Sequence, residues 1–156
     1  MSKILMIHGA NMHLLGVRQP EIYGSTSAAE LDELIRNHAA KRKIEIEIFY
    51  TNSESELIDR TCSAASDGFD GIVCNTGSFC YASYPIRDCF AAMKIPIVEV
   101  HMSNQLSRNI HSVTAAGAGG VVMGFGHDTY LIGIDAAISL AKKRERERLG
   151  SESRGK

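Results

Sequence analysis

The sequence lacks the cysteine and hydrophobic patterns that several protein classes require. Its four cysteines form no CxxC pair and no cysteine–histidine cluster with zinc-finger spacing, so neither a metal module nor a disulfide framework is indicated. No apolar run approaches the roughly 20 residues of a membrane-spanning helix. The N-terminal stretch MSKILMIHGA is too short an apolar segment for a signal peptide. We therefore expect a cytoplasmic protein without a membrane partner.

The sequence also has little net charge and no nucleotide-binding motif. The chain has 17 lysines and arginines and 18 aspartates and glutamates, for a formal charge of -1. This balance gives no electrostatic footprint for nucleic acid. GxxxxGK[ST] is absent, and no GxGxxG opens a helix after the first predicted strand. The glycines of segments 117–120 and 124–126 flank the fifth predicted strand instead. Nucleic-acid and nucleotide binding are not indicated.

Strand-like and helix-like patterns alternate along the chain. Short apolar or alternating segments predict five strands, and amphipathic segments between them predict helices. This alternation predicts an α/β protein with a parallel sheet covered on both faces, in the flavodoxin-like order 2-1-3-4-5. We expect a single domain over residues 1–146 and a charged, flexible tail over residues 147–156. The predicted strands are 3–7, 44–48, 70–75, 95–101 and 120–125, and the predicted helices are 27–41, 54–66, 85–93 and 128–146.

Three predicted strands end in polar residues. Asn11 follows the first strand, Asn75 ends the third, and His101 ends the fourth. In a doubly wound sheet, ligands bind outside the carboxyl ends of the strands, near the point where the strand order reverses. The three exits are therefore expected to meet at one edge of the sheet. Polar strand ends are common, so each exit alone is weak support for a site.

The segment between the first strand and the first helix is a long loop, 9–24, which carries Arg18 and Tyr23. Long loops in compact domains often serve as lids or binding loops. Tyrosine is a poor base at its usual pKa near 10, and a nearby guanidinium favours the phenolate form. The alternative is a surface charge beside a packing aromatic, which the spacing alone favours.

Glu99 and His101 lie two residues apart on the fourth predicted strand. Such residues point to the same face of a sheet. A carboxylate beside an imidazole orients the ring and favours its protonated form, which suits a general acid. The alternative is a structural pair at a strand end, and the sequence leaves the two interpretations equal.

Four ordered segments resemble the type II 3-dehydroquinate dehydratases. NMHLLGVRQPEIYG, residues 11–24, resembles the family signature NLNLLGxRxPxxYG, and NSESELID, residues 52–59, resembles SNxEGELID. NTG at 75–77, with Ser83 and Arg87-Asp88 after it, resembles the NPGAYTHTSxALRD stretch, and PIVEVHMSN, residues 96–104, resembles PVIEVHLSN. The resemblance covers about residues 3 to 140.

The resemblance implies an anti elimination of water without metal or organic cofactor, in aromatic biosynthesis or quinate use. Carried over by position, Tyr23 is the base that removes the proton next to the ketone, and Arg18 holds it as phenolate. Asn11 orients the base or a water molecule. His101 protonates the departing hydroxyl group, and Glu99 orients His101.

The remaining implied roles concern the enolate and the substrate. Asn75 stabilises the enolate through a water molecule. Backbone amides of Met102 and Ser103 bind the substrate carboxylate. Asp88 reaches the site of a neighbouring subunit, because the family forms trimers that assemble into dodecamers.

The chain departs from the family pattern on the substrate side. Tyr81 stands where the family has a histidine that binds substrate hydroxyl groups. The segment after Ser103 is about three residues shorter than in the family, and alignment on His111 removes a substrate-binding arginine. Arg108 aligns with an earlier family arginine and is the candidate substitute. These departures put substrate choice in question more than the elimination chemistry.

Three functions therefore stay open on the sequence. The first is 3-dehydroquinate dehydratase. The second is a related dehydratase for a different cyclic β-hydroxy ketone acid, which the altered Tyr81 and the short 105–110 segment favour. The third is a non-catalytic binding homologue. The presence of Arg18, Tyr23 and His101 together argues against the third, since a scaffold has no need of them.

Overall fold

The chain folds into a five-stranded parallel sheet with helices on both faces. The computed structural model describes residues 1–154, with side chains for residues 1–152. The strands are β1 (Lys3–Ala10), β2 (Glu45–Tyr50), β3 (Gly71–Gly77), β4 (Ile97–His101) and β5 (Gly120–Met123). The helices are α1 (Pro20–Tyr23), α2 (Ala28–Arg42), α3 (Glu54–Ser63), α4 (Tyr84–Ala92) and α5 (Asp128–Arg154), and short 3₁₀ turns cover Met12–Leu14, Ser78–Tyr81, Leu106–Arg108 and Thr114–Gly117.

The strand order is β2-β1-β3-β4-β5, and all neighbouring strands are parallel. The predicted flavodoxin-like order is confirmed. The order reverses between β1 and β3, which lie side by side at the centre of the sheet. The switch point of the topology is therefore where Asn11 and Asn75 leave their strands.

Two apolar layers hold the sheet between the helices. Alternate side chains of β1 point to opposite faces, so Ile4 and Met6 pack on one side while Leu5 and Ile7 pack on the other. The first layer contains residues of α2 and α5, and the second contains residues of α3 and α4. Both faces of the central strands are buried, which explains their continuous apolar sequence.

The helices begin where the sequence offers capping side chains. The capping box that opens α2 is present: Ser27 Oγ accepts from the backbone N–H of Glu30 at 3.2 Å, and Glu30 Oε2 accepts from the N–H of Ser27 at 2.7 Å. Ser83 caps α4 by accepting from the N–H of Ile86 at 3.2 Å. Each cap satisfies donors that the first helical turn leaves without a partner.

The end of β3 approaches the end of β1 so closely that only glycine fits. Gly77 has φ +59°, and a Cβ atom there would lie 2.3 Å from the carbonyl oxygen of Ala10. Glycine alone adopts this conformation without strain and leaves room for the neighbouring backbone. The close approach fixes the spacing of the two strand exits that carry Asn11 and Asn75.

Several boundaries differ from those expected. β1 and β3 continue to Ala10 and Gly77, and the long loop contains the single-turn helix α1. The last helix does not end near residue 146 but continues to Arg154, and 155–156 lie outside the described residues. The charged segment has no apolar stripe that would predict a helix. Ion pairs between residues four apart, such as Arg148–Glu152 at 3.3 Å, stabilise the helix there. None of the helices in the described part of the chain is both long and apolar enough to cross a bilayer.

Candidate active site

A cleft opens at the carboxyl ends of β1, β3 and β4, where the polar strand exits meet as expected. It holds about 600 Å³ of empty space, its open mouth included. Arginine side chains contribute its charge, and none of the described lining residues carries a carboxylate. Such a cleft suits an anionic ligand. The predicted site residues that line it are Asn11, Arg18, Tyr23, Asn75, Tyr81, His101, Met102, Ser103 and Arg108.

His101 is hydrogen-bonded to the buried carboxylate of Glu99, on the side of the ring away from the cleft. Its Nε2 lies 2.6 Å from Glu99 Oε1, the contact that their spacing on β4 predicts. Glu99 is fully buried and also accepts from Ser112 Oγ at 2.5 Å and from Thr114 Oγ1 at 2.6 Å. A buried carboxylate requires such partners to offset the loss of water. The imidazole ring is thereby fixed, with its Nε2 directed away from the cleft.

The second ring nitrogen of His101 also has a partner. Gln105 Nε2 lies 3.0 Å from His101 Nδ1 and 3.5 Å from the Sγ atom of Cys80. Burial raises the pKa of the Cys80 thiol, which keeps it protonated near neutral pH and unsuited to act as a nucleophile. His101 is therefore the group in this corner of the cleft that can move a proton.

Tyr23 faces the cleft from the loop side, between two guanidinium groups. Arg108 Nη1 donates to the Tyr23 hydroxyl at 3.3 Å and to Ser103 Oγ at 3.0 Å. Arg18 lies over the ring, with its Cζ 6.0 Å from the ring centroid. Arg108 thus provides the hydrogen bond to the phenol oxygen, and Arg18 provides positive charge beside the ring.

Asn75 is locked by two hydrogen bonds. Its Oδ1 accepts from the N–H of Gly77 at 2.9 Å, which fixes the orientation of the amide, and its Nδ2 donates to the hydroxyl of Tyr130 at 2.8 Å. Tyr130 is fully buried on α5, and burial raises the pKa of its hydroxyl, so the hydroxyl stays protonated. The second N–H of Asn75 is left to serve the cleft.

Asn11 stands at the entrance of the loop in the left-handed conformation, with φ 65°. Its backbone N–H donates to Asn52 Oδ1 at 2.9 Å, a side chain just beyond β2. Asparagine tolerates this conformation better than most residues. The turn directs the loop across the cleft towards Tyr23.

The substrate-side residues divide between the cleft and the outer surface. Tyr81 lines the mouth and is half exposed, and Met102 and Ser103 lie beside His101. Asp88 lies on α4 outside the cleft, where its Oδ1 accepts two hydrogen bonds from the guanidinium of Arg87. Within one chain, Asp88 therefore does not reach this cleft.

Sequence reasoning missed four residues that contact the predicted groups. Tyr130 lies 55 residues from Asn75 along the chain, so no local pattern connects them. Gln105 belongs to the shortened segment, whose path could not be read from spacing. The polar residues of the segment after it, Ser112 and Thr114, offered the one available signal, because a buried Glu99 needs donors.

Comparisons with known proteins give one consistent result. The family model described as dehydroquinase class II matches residues 2–138. A 3-dehydroquinate dehydratase of Syntrophotalea carbinolica is 43% identical over 145 residues, which cover 91% of this chain and 98% of that protein. A 3-dehydroquinate dehydratase of Geotalea daltonii is 44% identical over 144 residues, with coverage of 90% and 99%.

Solved structures extend the similarity to three dimensions. The type II dehydroquinase of Butyrivibrio crossotus superimposes with a TM-score of 0.82 at 37% identity, covering 87% of this chain and 97% of that one. The type II dehydroquinase of Propionibacterium acnes gives the same TM-score at 29% identity, with coverage of 91% and 97%. The similarity spans almost the full length of these two proteins.

Proposed function

The chain belongs to the class II dehydroquinase family, and from this premise we propose that it is a 3-dehydroquinate dehydratase. The reaction removes water from 3-dehydroquinate by anti elimination and yields 3-dehydroshikimate. A base takes a proton from the carbon next to the ketone, an enolate forms, and an acid protonates the hydroxyl group that departs. The residues of the cleft supply a candidate for each task.

Tyr23 is the base in this scheme. Its phenolate accepts the proton, and the guanidinium of Arg108, 3.3 Å from the hydroxyl, stabilises the negative oxygen by a charge-assisted hydrogen bond. Arg18 adds a second positive charge next to the ring. Asn11, at the turn that leads into the loop, orients the base or a water molecule.

His101 is the acid. The proton that it delivers must come from Nδ1, because Nε2 is engaged by Glu99 at 2.6 Å. Glu99 stabilises the imidazolium and fixes its orientation. Charge that develops on the ketone oxygen as the enolate forms is met by the free N–H of Asn75 through a water molecule.

One observation carries the proposal: the base and the acid approach the cleft from opposite sides of the sheet. Tyr23 packs against the apolar layer of α2 and α5, which also contains Val98 and Val100 of β4. Glu99 and His101 alternate with these valines and so point to the other face. An anti elimination requires the base and the acid on opposite faces of the substrate ring, and a ring bound in the cleft between Tyr23 and His101 meets this requirement.

Substrate binding falls to the positive and polar groups at the mouth. The substrate carboxylate fits the backbone amides of Met102 and Ser103, beside Arg108. Tyr81, half exposed at the rim, is the candidate for contacts with ring hydroxyl groups. Because the described residues of the cleft lining carry positive but no negative side-chain charge, the cleft favours an acidic substrate over a neutral one.

The test is a direct assay. The purified protein is mixed with 3-dehydroquinate, and the absorbance of the conjugated enone product is followed. We expect the absorbance to increase with the wild type. With Tyr23→Phe, the rate of this increase should be about 10²- to 10⁴-fold lower, since general-base catalysis is lost. Tyr50→Phe is the matched control, because the Tyr50 hydroxyl bonds to Asp32 outside the cleft lining.

The outcome also separates the other candidate functions. A wild type that forms no enone from 3-dehydroquinate contradicts the proposal. Thermal-shift binding of related cyclic hydroxy-ketone acids, followed by turnover, would then indicate a dehydratase for a different substrate. Binding without turnover of any of them would indicate a non-catalytic homologue.

We propose further that the chain assembles into trimers and dodecamers in the cytoplasm. Asp88 supports this assembly as its exposed position on α4 leaves it available to a neighbouring subunit's cleft. Light scattering on the purified protein tests the stoichiometry. If Asp88 completes a neighbour's site, Asp88→Asn lowers activity in the assembled protein, and an active monomer would contradict the proposal.

A further inference from the structure

The acid of the site has only one position at which it can meet a substrate. An imidazole ring has two nitrogens, and each offers a single in-plane site that either donates or accepts one hydrogen bond. At His101, Glu99 takes the site on Nε2 at 2.6 Å. The leaving hydroxyl group must therefore come to the in-plane site on Nδ1.

Gln105 occupies this same position. Its side-chain amide lies 3.0 Å from Nδ1, and both side chains are buried in the wall of the cleft. An amide offers either an N–H or a carbonyl oxygen, so it can pair with the neutral or with the protonated ring. In either pairing, the amide and a substrate hydroxyl group cannot both bind Nδ1.

The contact between Gln105 and His101 leaves one polar atom of the glutamine without a hydrogen-bond partner among the described residues. Gln105 Oε1 is buried without a hydrogen-bond partner among the described residues, and a buried carbonyl oxygen in this state carries a desolvation cost. Movement of the side chain towards the mouth of the cleft returns this oxygen to water. The contact with His101 thus carries the desolvation cost of the Gln105 carbonyl oxygen, and this cost disappears when Gln105 moves away from Nδ1.

The same turn also holds the base. The backbone oxygen of Gln105 accepts from the N–H groups of Arg108 at 3.0 Å and Ile110 at 2.9 Å, which ties the glutamine to the turn Leu106–Arg108. Arg108 in turn donates to the Tyr23 hydroxyl. One short turn therefore contacts both proton-transferring residues.

We propose that Gln105 is an intramolecular competitor of the substrate for Nδ1 of His101, and that its displacement accompanies every binding event. This inference rests on the proposed dehydratase function. Gln105 then sets the apparent affinity for the substrate and leaves the elimination step itself unchanged. It is a specificity-determining residue, because only a substrate that offers a hydroxyl group at this position gains back the lost hydrogen bond.

Gln105→Met tests the proposal, since methionine keeps the length and burial of the side chain but makes no amide hydrogen bond. We expect KM for 3-dehydroquinate to fall by about two- to tenfold, the equivalent of one neutral hydrogen bond, while kcat is unchanged. Leu106→Met, an exposed position in the same turn, is the matched control and should change neither constant. A rise in KM or a fall in kcat for Gln105→Met would overturn the proposal, because it would mean that the amide assists substrate binding or catalysis.

A spectroscopic measurement tests the contact without turnover. In ¹⁵N-histidine-labelled, substrate-free protein, Gln105→Met should shift the Nδ1 resonance of His101 and leave Nε2 in place, with His101→Asn used to assign the signals. An Nδ1 resonance that is identical in both proteins shows that Gln105 does not bond to His101 Nδ1. A wild type inactive on 3-dehydroquinate would reject the proposed function, and the resonance would still decide whether Gln105 caps His101. Gln105→Leu serves as the second variant if the methionine variant does not fold.

Discussion

Arg108 donates a hydrogen bond to the hydroxyl of Tyr23, although 85 residues separate the two along the chain. The contact forms because the turn after β4 and the single-turn helix α1 meet over the cleft. Arg18, five residues before Tyr23, lies instead against the face of its ring. The proximity that the sequence suggested for Arg18 is present, but the hydrogen bond to the Tyr23 oxygen comes from the distant Arg108.

The two arginines should therefore differ in their contribution to the reaction. We expect Arg108→Met to lower kcat/KM by about 10- to 100-fold, because a charge-assisted hydrogen bond to the phenolate is lost. Arg18→Met should cost less, since Arg18 contacts the face of the ring, whereas Arg108 bonds to the hydroxyl oxygen itself. Steady-state kinetics on both variants make the comparison, and a larger loss for Arg18→Met would reverse the assignment.

Glu99 should affect the rate without affecting substrate affinity. It lies behind His101 and outside the cleft lining, so Glu99→Gln removes the charge that stabilises the imidazolium and leaves the binding surface intact. We expect kcat to fall by about 10²-fold, as for loss of a general acid, with KM little changed.

Ser112→Ala is the control for this experiment. It removes one of the three hydrogen bonds to Glu99 and keeps the contact with His101. Its kcat should stay close to that of the wild type. A Glu99→Gln enzyme with the wild-type kcat would show that His101 acts without its carboxylate.

Tyr130 is expected to act through Asn75. Tyr130→Phe deletes the acceptor of Asn75 Nδ2 and leaves the amide held at its Oδ1 by Gly77. The amide is then less firmly oriented, so we expect kcat to fall by about three- to tenfold, the value of one hydrogen bond. KM should be unchanged. In an Asn75→Ala background the same change should have no further effect on kcat, and this non-additivity distinguishes positioning from general destabilisation.

The matched control is Tyr50→Phe. Tyr50 belongs to the same aromatic group, in which the His8 ring stacks on Tyr50 at 4.3 Å and lies 5.4 Å from Tyr130. Both hydroxyl deletions should lower the free energy of unfolding, but only Tyr130→Phe should lower kcat. Equal losses of kcat in the two variants would assign the effect to packing.

His8 should make the protein less stable as the pH falls. Burial lowers the pKa of His8 from 6.5 to about 3; the Asp32 carboxylate, 4.0 Å away, is too distant for a hydrogen bond that would offset burial. The unfolded chain takes up a proton below its pKa near 6.5, and the folded chain does not until about pH 3. The stability contributed by the neutral ring is therefore complete above pH 6.5 and is lost between pH 6.5 and 3.

Urea unfolding at pH 7.5 and pH 5 measures this loss. The wild type should lose about 2 kcal/mol more than His8→Asn between these pH values, because asparagine does not titrate. The titratable groups that contact the ring among the described residues are Tyr50, Tyr130 and Asp32, and all three stay in place in the variant. Parallel pH profiles for the two proteins would contradict the prediction.

The parts of the structure that sequence reasoning predicted depend on local periodicity. Alternating and continuous apolar segments define the strands, and the parallel topology then brings the exits of β1, β3 and β4 together. The contact of Glu99 with His101 follows from residues two apart on one strand. Each inference requires only the chain direction and the spacing of neighbours.

The parts that it did not predict depend on the path of loops. Gln105 reaches His101 because the 3₁₀ turn after Ser103 folds back over the cleft, and no periodic pattern marks such a turn. Tyr130 reads in the sequence as one more apolar residue of α5. Its role is visible only when α5 lies across the end of β3, next to Asn75.

The extended α5 helix has a practical consequence for experiments on this protein. It starts beside the cleft, where Gly126 bonds to the backbone of Met102, and runs towards the opposite edge of the sheet, where Arg144 bonds to Lys94. Its 27 residues span about 40 Å at 1.5 Å per residue. A fluorophore or a surface tether coupled near the exposed Leu149 would thus sit at the far pole of the molecule, and immobilised or single-molecule assays could use this handle without obstructing substrate entry.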